Sequence, residues 1–210
     1  MKIHDLTLPL RPGIPVYPGN PAFRFDAVSR IARGASSNGS LVTMGTHTGT
    51  HVDAPFHIYD GRDGVEALPP DVLVGKARVI HVDAHDRHVE ARDLAPLDWT
   101  GVERVLVRTP NSDRWATATA FDATFAGLAG DAGAFLAARK VRLVGVDSLS
   151  VDRMKSGNHP AHHALIDAGV VILEGLNLAG IAPGDYELFC GPLLIPGADG
   201  APARVFLVER

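Results

Sequence analysis

Short runs of apolar residues recur along the chain, and several are continuously apolar. Such runs are typical of strands that are covered on both faces of a sheet. The pattern predicts strands in IHDLTLPL (from Ile3), KARVIHVDA (from Lys76), ERVLVRT (from Glu103), VRLVGVD (from Val141), VVILEGL (from Val170), YELFCGPLLI (from Tyr186) and ARVFLVE (from Ala203).

Helical patterns lie between some of these runs, at residues 131–140 and 160–169. The second begins with Pro160 and ends with Gly169, which is the usual polarity of residues at helix ends. Strands come first, and helices then alternate with strands. This order predicts one mixed α/β domain over residues 1–210, built on a central mixed sheet. Residues 1–40 include the proline-rich segment PGIPVYPGNP, which is expected to form a loop or an arm, and GADGAPA reads as a turn between the last two strands.

The segment THTGTHVDAPFH places polar residues with metal-binding chemistry at alternate positions. Its threonines, glycine and proline disfavour a helix. In a strand, His47, His51 and Asp53 would share one face, and Gly49 would leave room between the histidines for an ion. Pro55 should end the strand, with His57 just past the turn.

A single histidine is more often a surface residue or a hydrogen-bonded core residue than a ligand. Several imidazoles and a carboxylate on one face are different, because they repel one another when protonated and need partners when neutral and buried. A divalent cation meets both demands, since it binds neutral imidazole and carboxylate directly. The cluster therefore predicts a metal site.

A second cluster of the same residue types lies in SGNHPAHHALIDAGVVILEGLN. Glu174 follows an apolar run, so it is either paired or metal-bound at the end of a buried strand, or it lies at an exposed strand end. His162 and His163 belong to the first turn of the predicted helix, and His159 lies in the loop before it. Because adjacent helical residues diverge, the three histidines cannot all face one point.

HTGTHVDAPFH resembles the HxGTHxDxPxH signature of the cyclase family of metal-dependent hydrolases, which includes bacterial kynurenine formamidase and isatin hydrolase. The resemblance extends to VGVDSLSVD, to the stretch from His162 to ILEGLNL, and to PGDYELFCGPLLI. It implies a swivelling β/β/α fold, a homodimer or higher homo-oligomer, and two divalent ions. By the same resemblance, the expected metal ligands are His47, His51, Asp53, His162 and Glu174, with the two carboxylates bridging, and His57 is the catalytic acid and base.

The chain departs from the formamidase pattern at three places. Tyr17 stands where those enzymes carry a tryptophan that stacks on the substrate, and Asn20 replaces an aspartate. The segment DRMKSGNHPA is longer before the metal histidine. We expect Tyr17 to bind a flat aromatic group of the substrate.

The expected chemistry is hydrolysis of an amide C–N bond of the arylformamidase type, with N-formylkynurenine as the model substrate. Two divalent ions, two carboxylates and a bridging hydroxide leave net positive charge for a tetrahedral oxyanion. Zn²⁺ is the first choice for these nitrogen and oxygen ligands, and Mn²⁺ is the alternative. The alternative reaction is the opening of a cyclic amide or lactone. The alternative to an enzyme is a metal-dependent protein that binds a ligand without turnover.

Composition narrows the partners. The 210 residues are 46% hydrophobic and 21% charged, with a formal net charge of −4. The sequence has no basic patch of the kind that binds nucleic acid, and no apolar run approaches the ~20 residues of a membrane span. The first residues do not resemble a signal peptide, and a lone cysteine, Cys190, favours a cytoplasmic protein and a buried structural thiol. A small-molecule substrate is therefore expected.

Overall fold

The predicted strands join into one large sheet in the computed structural model, which describes residues 1–85 and 87–209. The strands are β1 (Lys2–Asp5), β2 (Arg24–Ser29), β3 (Gly39–Thr43), β4 (His51–Asp53), β5 (Val74–His81), β6 (Arg104–Arg108), β7 (Leu143–Val146), β8 (Val171–Glu174), β9 (Gly184–Pro192) and β10 (Gly200–Glu209). The α-helices are α1 (Pro70–Leu73), α2 (Ala91–Leu94), α3 (Asn111–Arg114), α4 (Gly130–Ala138) and α5 (Pro160–Asp167). All seven predicted strands and both predicted helices are present, with ends displaced by a few residues.

The sheet is mixed and closes on itself. Its strand order is β1-β10-β4-β8-β7-β6-β5-β9, and β10 also pairs with β9, so that seven strands form a barrel with β1 on its edge. The pairs β5–β6, β6–β7 and β7–β8 are parallel, and the remaining pairs of this sheet are antiparallel. The predicted mixed α/β class is confirmed.

Two apolar clusters occupy the two sides of the central strands. Leu106 and Leu173 face a cluster inside the barrel, which also contains the buried thiol of Cys190. Their neighbours Val105, Val107 and Ile172 face the second cluster, under the helices α4 and α5. This arrangement explains why the runs in these strands are continuously apolar, since both of their faces are covered.

The hairpin formed by β2 and β3 was not predicted, and neither were the four-residue helices α1, α2 and α3. The two strands pair only with each other among the described residues, with Phe25 opposite Val42. Both side chains are largely exposed, as is Leu41. Because neither face of the hairpin is buried, its sequence lacks the alternation by which half-buried strands are recognised.

The helices are short. The longest among residues 1–85 and 87–209 is α4, with nine residues, and none of the described helices is long and apolar enough to cross a membrane.

Candidate metal centre

The strand at the start of the candidate site is shorter than its sequence pattern suggested. β4 contains only His51, Val52 and Asp53, and His47 lies in the turn before it. The prediction that His47 shares a strand face with the other two residues is therefore wrong. Gly49 lies in the left-handed region at φ +68°, where glycine is favoured, and a Cβ there would meet Leu10 at 2.8 Å. Gly49 thus permits a turn against Leu10 and does not leave space for an ion.

The turn nevertheless returns His47 to the other two residues. Its Nδ1 lies 2.9 Å from Oδ1 of Asp53, and Nε2 of His51 lies 3.5 Å from the same oxygen. The turn is held from below by Thr50, whose hydroxyl donates to the carbonyl of Gly175 at 2.6 Å. Three potential ligands therefore converge. A turn and a short strand bring them together, and not the single strand that the sequence pattern predicted.

The second cluster approaches the same point from the neighbouring strand and from α5. Glu174 ends β8 and pairs directly with His51 of β4, and His162 lies in the first turn of α5. Nε2 of His162 is 3.4 Å from Oδ2 of Asp53 and 3.4 Å from Oε1 of Glu174. Both Glu174 and His162 are buried, so the alternative of an exposed strand end is excluded.

Each of the two carboxylates faces histidines on both sides. One of its oxygens faces the side of His47 and His51, and the other faces His162. Asp53 presents Oδ1 to His47 and His51, and Oδ2 to His162. Glu174 presents Oε2 to His51 at 3.3 Å and Oε1 to His162. Ligands about 2.0–2.1 Å from a tetrahedral ion lie about 3.3 Å from one another. The observed separations fit ligands that share an ion.

Within residues 1–85 and 87–209, two buried atoms of this cluster have no hydrogen-bond partner: Nε2 of His51 and Oδ2 of Asp53. A buried polar atom without a partner is costly, and a cation is the partner that suits an imidazole nitrogen and a carboxylate oxygen together. The group His47, His51 and Asp53 has the geometry to hold a metal ion. The residues present therefore fit a divalent metal.

The charges in the cluster depend on one another. Burial alone would raise the pKa of Asp53, but the imidazoles of His162 and His47 hold it well below its usual value. Burial alone would lower the pKa of His47, but Asp53 and Asp199 raise it to about 9. The pKa of His162 is likewise raised, against burial, by Asp152, Asp53 and Glu174. Without a metal, the buried carboxylates hold protons on these imidazoles.

Each imidazole of the cluster is fixed from its far side. Nδ1 of His162 lies 2.6 Å from Oδ2 of Asp152, and Nε2 of His47 lies 3.0 Å from Oδ2 of Asp199. Nδ1 of His51 lies 2.9 Å from the carbonyl oxygen of Gly49. Metal-bound histidines usually donate their other N–H to a carboxylate or a carbonyl in this way.

Asp152 and Asp199 were not predicted as site residues. Asp152 forms an isolated β-bridge with Leu128, Asp199 lies in the bend before β10, and neither belongs to a histidine cluster in the sequence. Asp152 also accepts the backbone N–H groups of Ala161 and His162 at 3.0 and 3.1 Å, so it caps α5. For Asp152 the sequence does offer a signal, because this residue ends VGVDSLSVD, one of the segments that carry the family resemblance, ten residues before His162.

His57 lies beside the cluster, in a 3-10 helix (Pro55–His57) directly after β4. Its ring centre is 4.1 Å from that of His47 and 5.6 Å from that of His162. Burial lowers the pKa of His57, and the neighbouring imidazoles lower it further. The carboxylates of Asp53 and Glu174 act in the opposite direction but do not outweigh these effects. A neutral imidazole is thereby favoured, and such a group can accept a proton.

A cavity of about 390 Å³ opens over the cluster. It is lined by Tyr17, Asn20, His47, His51, His57, Ile58, Leu149, Ser150, His159, His162, His163, Glu174 and Asp199. Tyr17 packs edge-on against Phe121, with ring centres 5.2 Å apart. The cavity therefore combines an aromatic wall with the imidazole and carboxylate cluster.

The two histidines left unassigned by the sequence also line this cavity. His159 immediately precedes α5, with φ at +48°. Nδ1 of His163 lies 2.7 Å from the hydroxyl of Tyr59, which donates to Asp167. Since the ring of His163 is held on one side by Tyr59, it turns away from the point at which His162 meets the carboxylates.

Comparisons with a family model, with curated proteins and with solved structures all relate this chain to the same family of proteins. The model of the Cyclase family matches residues 4–153. Kynurenine formamidase of Geobacillus thermodenitrificans is 39% identical over 203 residues, which are 97% of this chain and 95% of that protein. Among solved structures, a potential metal-dependent hydrolase with cyclase activity has a TM-score of 0.85 at 36% identity, covering 100% of this chain and 98% of the other. Isatin hydrolase A of Labrenzia aggregata has a TM-score of 0.81 at 27% identity, covering 100% and 94%.

Proposed function

Because this chain belongs to the Cyclase family, we propose that it is a metal-dependent hydrolase that cleaves the C–N bond of an aryl formamide, with N-formylkynurenine as the model substrate. Residues 1–210 would act as one domain, an inference supported by the pairing of β1 with β10 from opposite ends of the chain.

The observation that carries this proposal is the division of oxygens in Asp53 and Glu174. Two carboxylates that each face two groups of histidines suit a pair of ions rather than a single one. His47 and His51 would hold one ion and His162 the other, with Asp53 and Glu174 shared between them. Zn²⁺ is our first choice, and Mn²⁺ is the alternative.

Divalent ions at this site would lower the pKa of a water molecule and polarise the scissile carbonyl group. The role of the chain is to supply the proton transfers and the binding site. His57 is placed to accept a proton from the attacking water and to donate it to the departing nitrogen, which is a poor leaving group unless protonated. Tyr17, on the cavity wall, is placed to stack on the aryl ring.

We also infer that the chain forms a homodimer or a higher homo-oligomer. The β2–β3 hairpin supports this inference, because an isolated two-stranded hairpin is at best marginally stable in water. Phe25 and Val42 are paired across its strands and largely exposed. Light scattering coupled to size exclusion should give a multiple of 22.2 kDa. A Phe25→Asp variant should shift toward the monomer, and a wild-type monomer at micromolar concentration would contradict the inference.

A substrate panel tests the proposed reaction. Chelator-treated protein is supplied with Zn²⁺ or Mn²⁺ and assayed on N-formylkynurenine, isatin and simple lactones. The proposal expects the highest kcat/KM for the formamide. Preference for isatin would assign the chain to cyclic-amide opening, the activity named for one of its structural relatives. Tight binding of these compounds without turnover would indicate a binding protein.

A further inference from the structure

Asp199 lies between two histidines that the proposed function assigns to different tasks. One of its carboxylate oxygens, Oδ2, is 3.0 Å from Nε2 of His47 and 3.9 Å from Nδ1 of His57. The first distance is that of a hydrogen bond, and the second is too long for a hydrogen bond but close enough for the negative charge of Asp199 to act on the ring of His57. A single oxygen therefore faces both an expected metal ligand and the expected acid and base.

The carboxylate is held in place by contacts that do not depend on either histidine. The hydroxyl of Thr46 donates to Oδ1 at 2.8 Å, and the backbone carbonyl of Asp199 accepts the N–H of Ala54 at 2.9 Å. This second contact continues the pairing of β10 with β4, in which Gly200 lies opposite Asp53. Asp199 is thus fixed to the strand that carries the cluster.

The backbone after Asp199 supports the same arrangement. A Cβ at Gly200 would lie 2.8 Å from Cε1 of His47, so the backbone itself packs against the imidazole. The ring of His47 is therefore confined by Gly200 while its Nε2 donates to Asp199. An acceptor fixed this well determines which nitrogen of the ring carries the proton.

From this geometry we propose that Asp199 is a positioning residue for the hydrolytic reaction, which acts through His57 as well as through His47. Its negative charge, 3.9 Å from Nδ1 of His57, favours the tautomer that carries the proton on this nitrogen, so that Nε2 remains free as the acceptor. When Nε2 takes a proton from water, Asp199 stays ionised and stabilises the imidazolium, and the same proton then passes to the leaving nitrogen. This inference rests on the proposed amide hydrolysis.

A double-mutant cycle tests whether Asp199 acts through His57. Asp199→Asn retains an amide oxygen that can accept from His47 but lacks the negative charge. The set is wild type, Asp199→Asn, His57→Ala and the double variant, with Asp98→Asn as the control, because Asp98 is an exposed carboxylate that accepts from Thr100 away from the cluster. Metal content, kcat and KM are measured for each protein.

We expect Asp199→Asn to lower kcat by about 10- to 100-fold, with KM and metal content near the wild-type values. In the His57→Ala background, the same substitution should have little further effect, because residues that act as one unit are not additive. An equal loss in both backgrounds, or a loss of metal parallel to the loss of kcat, would overturn the role through His57.

A second readout does not depend on turnover. Long-range ¹H–¹⁵N correlation spectra of the zinc-loaded protein report the tautomer of each neutral imidazole. Wild-type His57 should carry its proton on Nδ1, and Asp199→Asn should move it toward a mixture of the two tautomers. An unchanged His57 spectrum would contradict the proposal, whereas failure of the wild type to hydrolyse any amide would count against the proposed function alone.

Discussion

Nδ1 of His162 lies 2.6 Å from Oδ2 of Asp152, and this contact turns the opposite nitrogen of the ring toward Asp53 and Glu174. The same aspartate caps α5 through the N–H groups of Ala161 and His162. The first turn of the helix and the ring of its histidine are therefore oriented by one side chain.

Replacing Asp152 by alanine should weaken metal binding, because His162 would lose the acceptor that fixes its ring. Loss of such an acceptor typically costs about 10- to 100-fold in metal affinity. Competition with a chromophoric chelator measures the change. The control is Asp131→Ala, which removes an acid from the first turn of α4. Equal affinities for Asp152→Ala and the control would show that Asp152 does not orient the ligand.

His57→Ala should retain the bound metal and the fold but lose most of the activity. General acid–base catalysis typically contributes about 10²–10⁴-fold, so kcat should fall by that order. Metal analysis and kcat are measured on the same samples, with His4→Ala as the control, since His4 pairs with Glu209 on β1 and β10. Metal lost in parallel with activity would make His57 a ligand.

Tyr17→Ala should raise KM for aryl substrates more than it lowers kcat, because stacking stabilises the bound substrate and the transition state about equally. Tyr17→Phe is the matched control, since it preserves the ring that packs on Phe121. Steady-state kinetics on an aryl formamide and on an aliphatic formamide separate the effect of the ring. Unchanged kinetics for Tyr17→Ala on every aryl substrate would exclude a binding role.

Metal binding should release protons at neutral pH. In the metal-free protein, Asp53 and Asp199 raise the pKa of His47 to about 9, so that its ring is protonated at pH 7.5, and Asp152, Asp53 and Glu174 raise the pKa of His162 against the effect of burial. Zinc must displace the protons of these two imidazoles, a metal-bound water that ionises would release a further one, and zinc affinity should rise with pH until the histidine pKa values are passed.

Proton release can be followed by pH-stat titration with zinc, and His47→Ala should release about one proton fewer. The stability of the metal-free fold should depend on pH in the opposite direction to the zinc affinity. The raised pKa of His47 stabilises this fold fully at pH values below the pKa of the unfolded chain, near 6.5. This contribution is lost as the pH rises toward 9. Zinc binding without proton release would contradict the assignment.

The sequence was sufficient to identify the family, and the resemblance predicted five metal ligands from two segments, whose role as ligands stays a prediction. The sheet brings these segments together: β4 pairs with β8, and His51 lies directly opposite Glu174. The position of His47 was predicted less well. Its alternation with His51 suggested a strand, but the positive φ of Gly49 makes a turn, and that torsion angle follows from the contacts made around Leu10 and Gly175.

Asp199 shows what a sequence pattern does not contain. Its position depends on strand register, since Asp199 meets His47 only because β10 pairs with β4 at Gly200 and Asp53. The closure of the barrel by β9 and β10 is equally a property of pairing between distant strands. The β2–β3 hairpin was missed for a different reason. Neither of its faces is buried, so its sequence lacks the alternation of apolar and polar residues that predicts a strand.

Titration of zinc into the chelator-treated protein, with the hydrolysis of N-formylkynurenine followed at each step, is the decisive measurement for a two-metal amide hydrolase. Activity should start near zero and reach a plateau at about two equivalents per chain, if Asp53 and Glu174 are each shared by two ions as proposed. In Asp53→Ala both equivalents should be lost, and in His162→Ala mainly one. Full activity in the chelated protein, or no bound zinc under metal-replete conditions, would contradict the account.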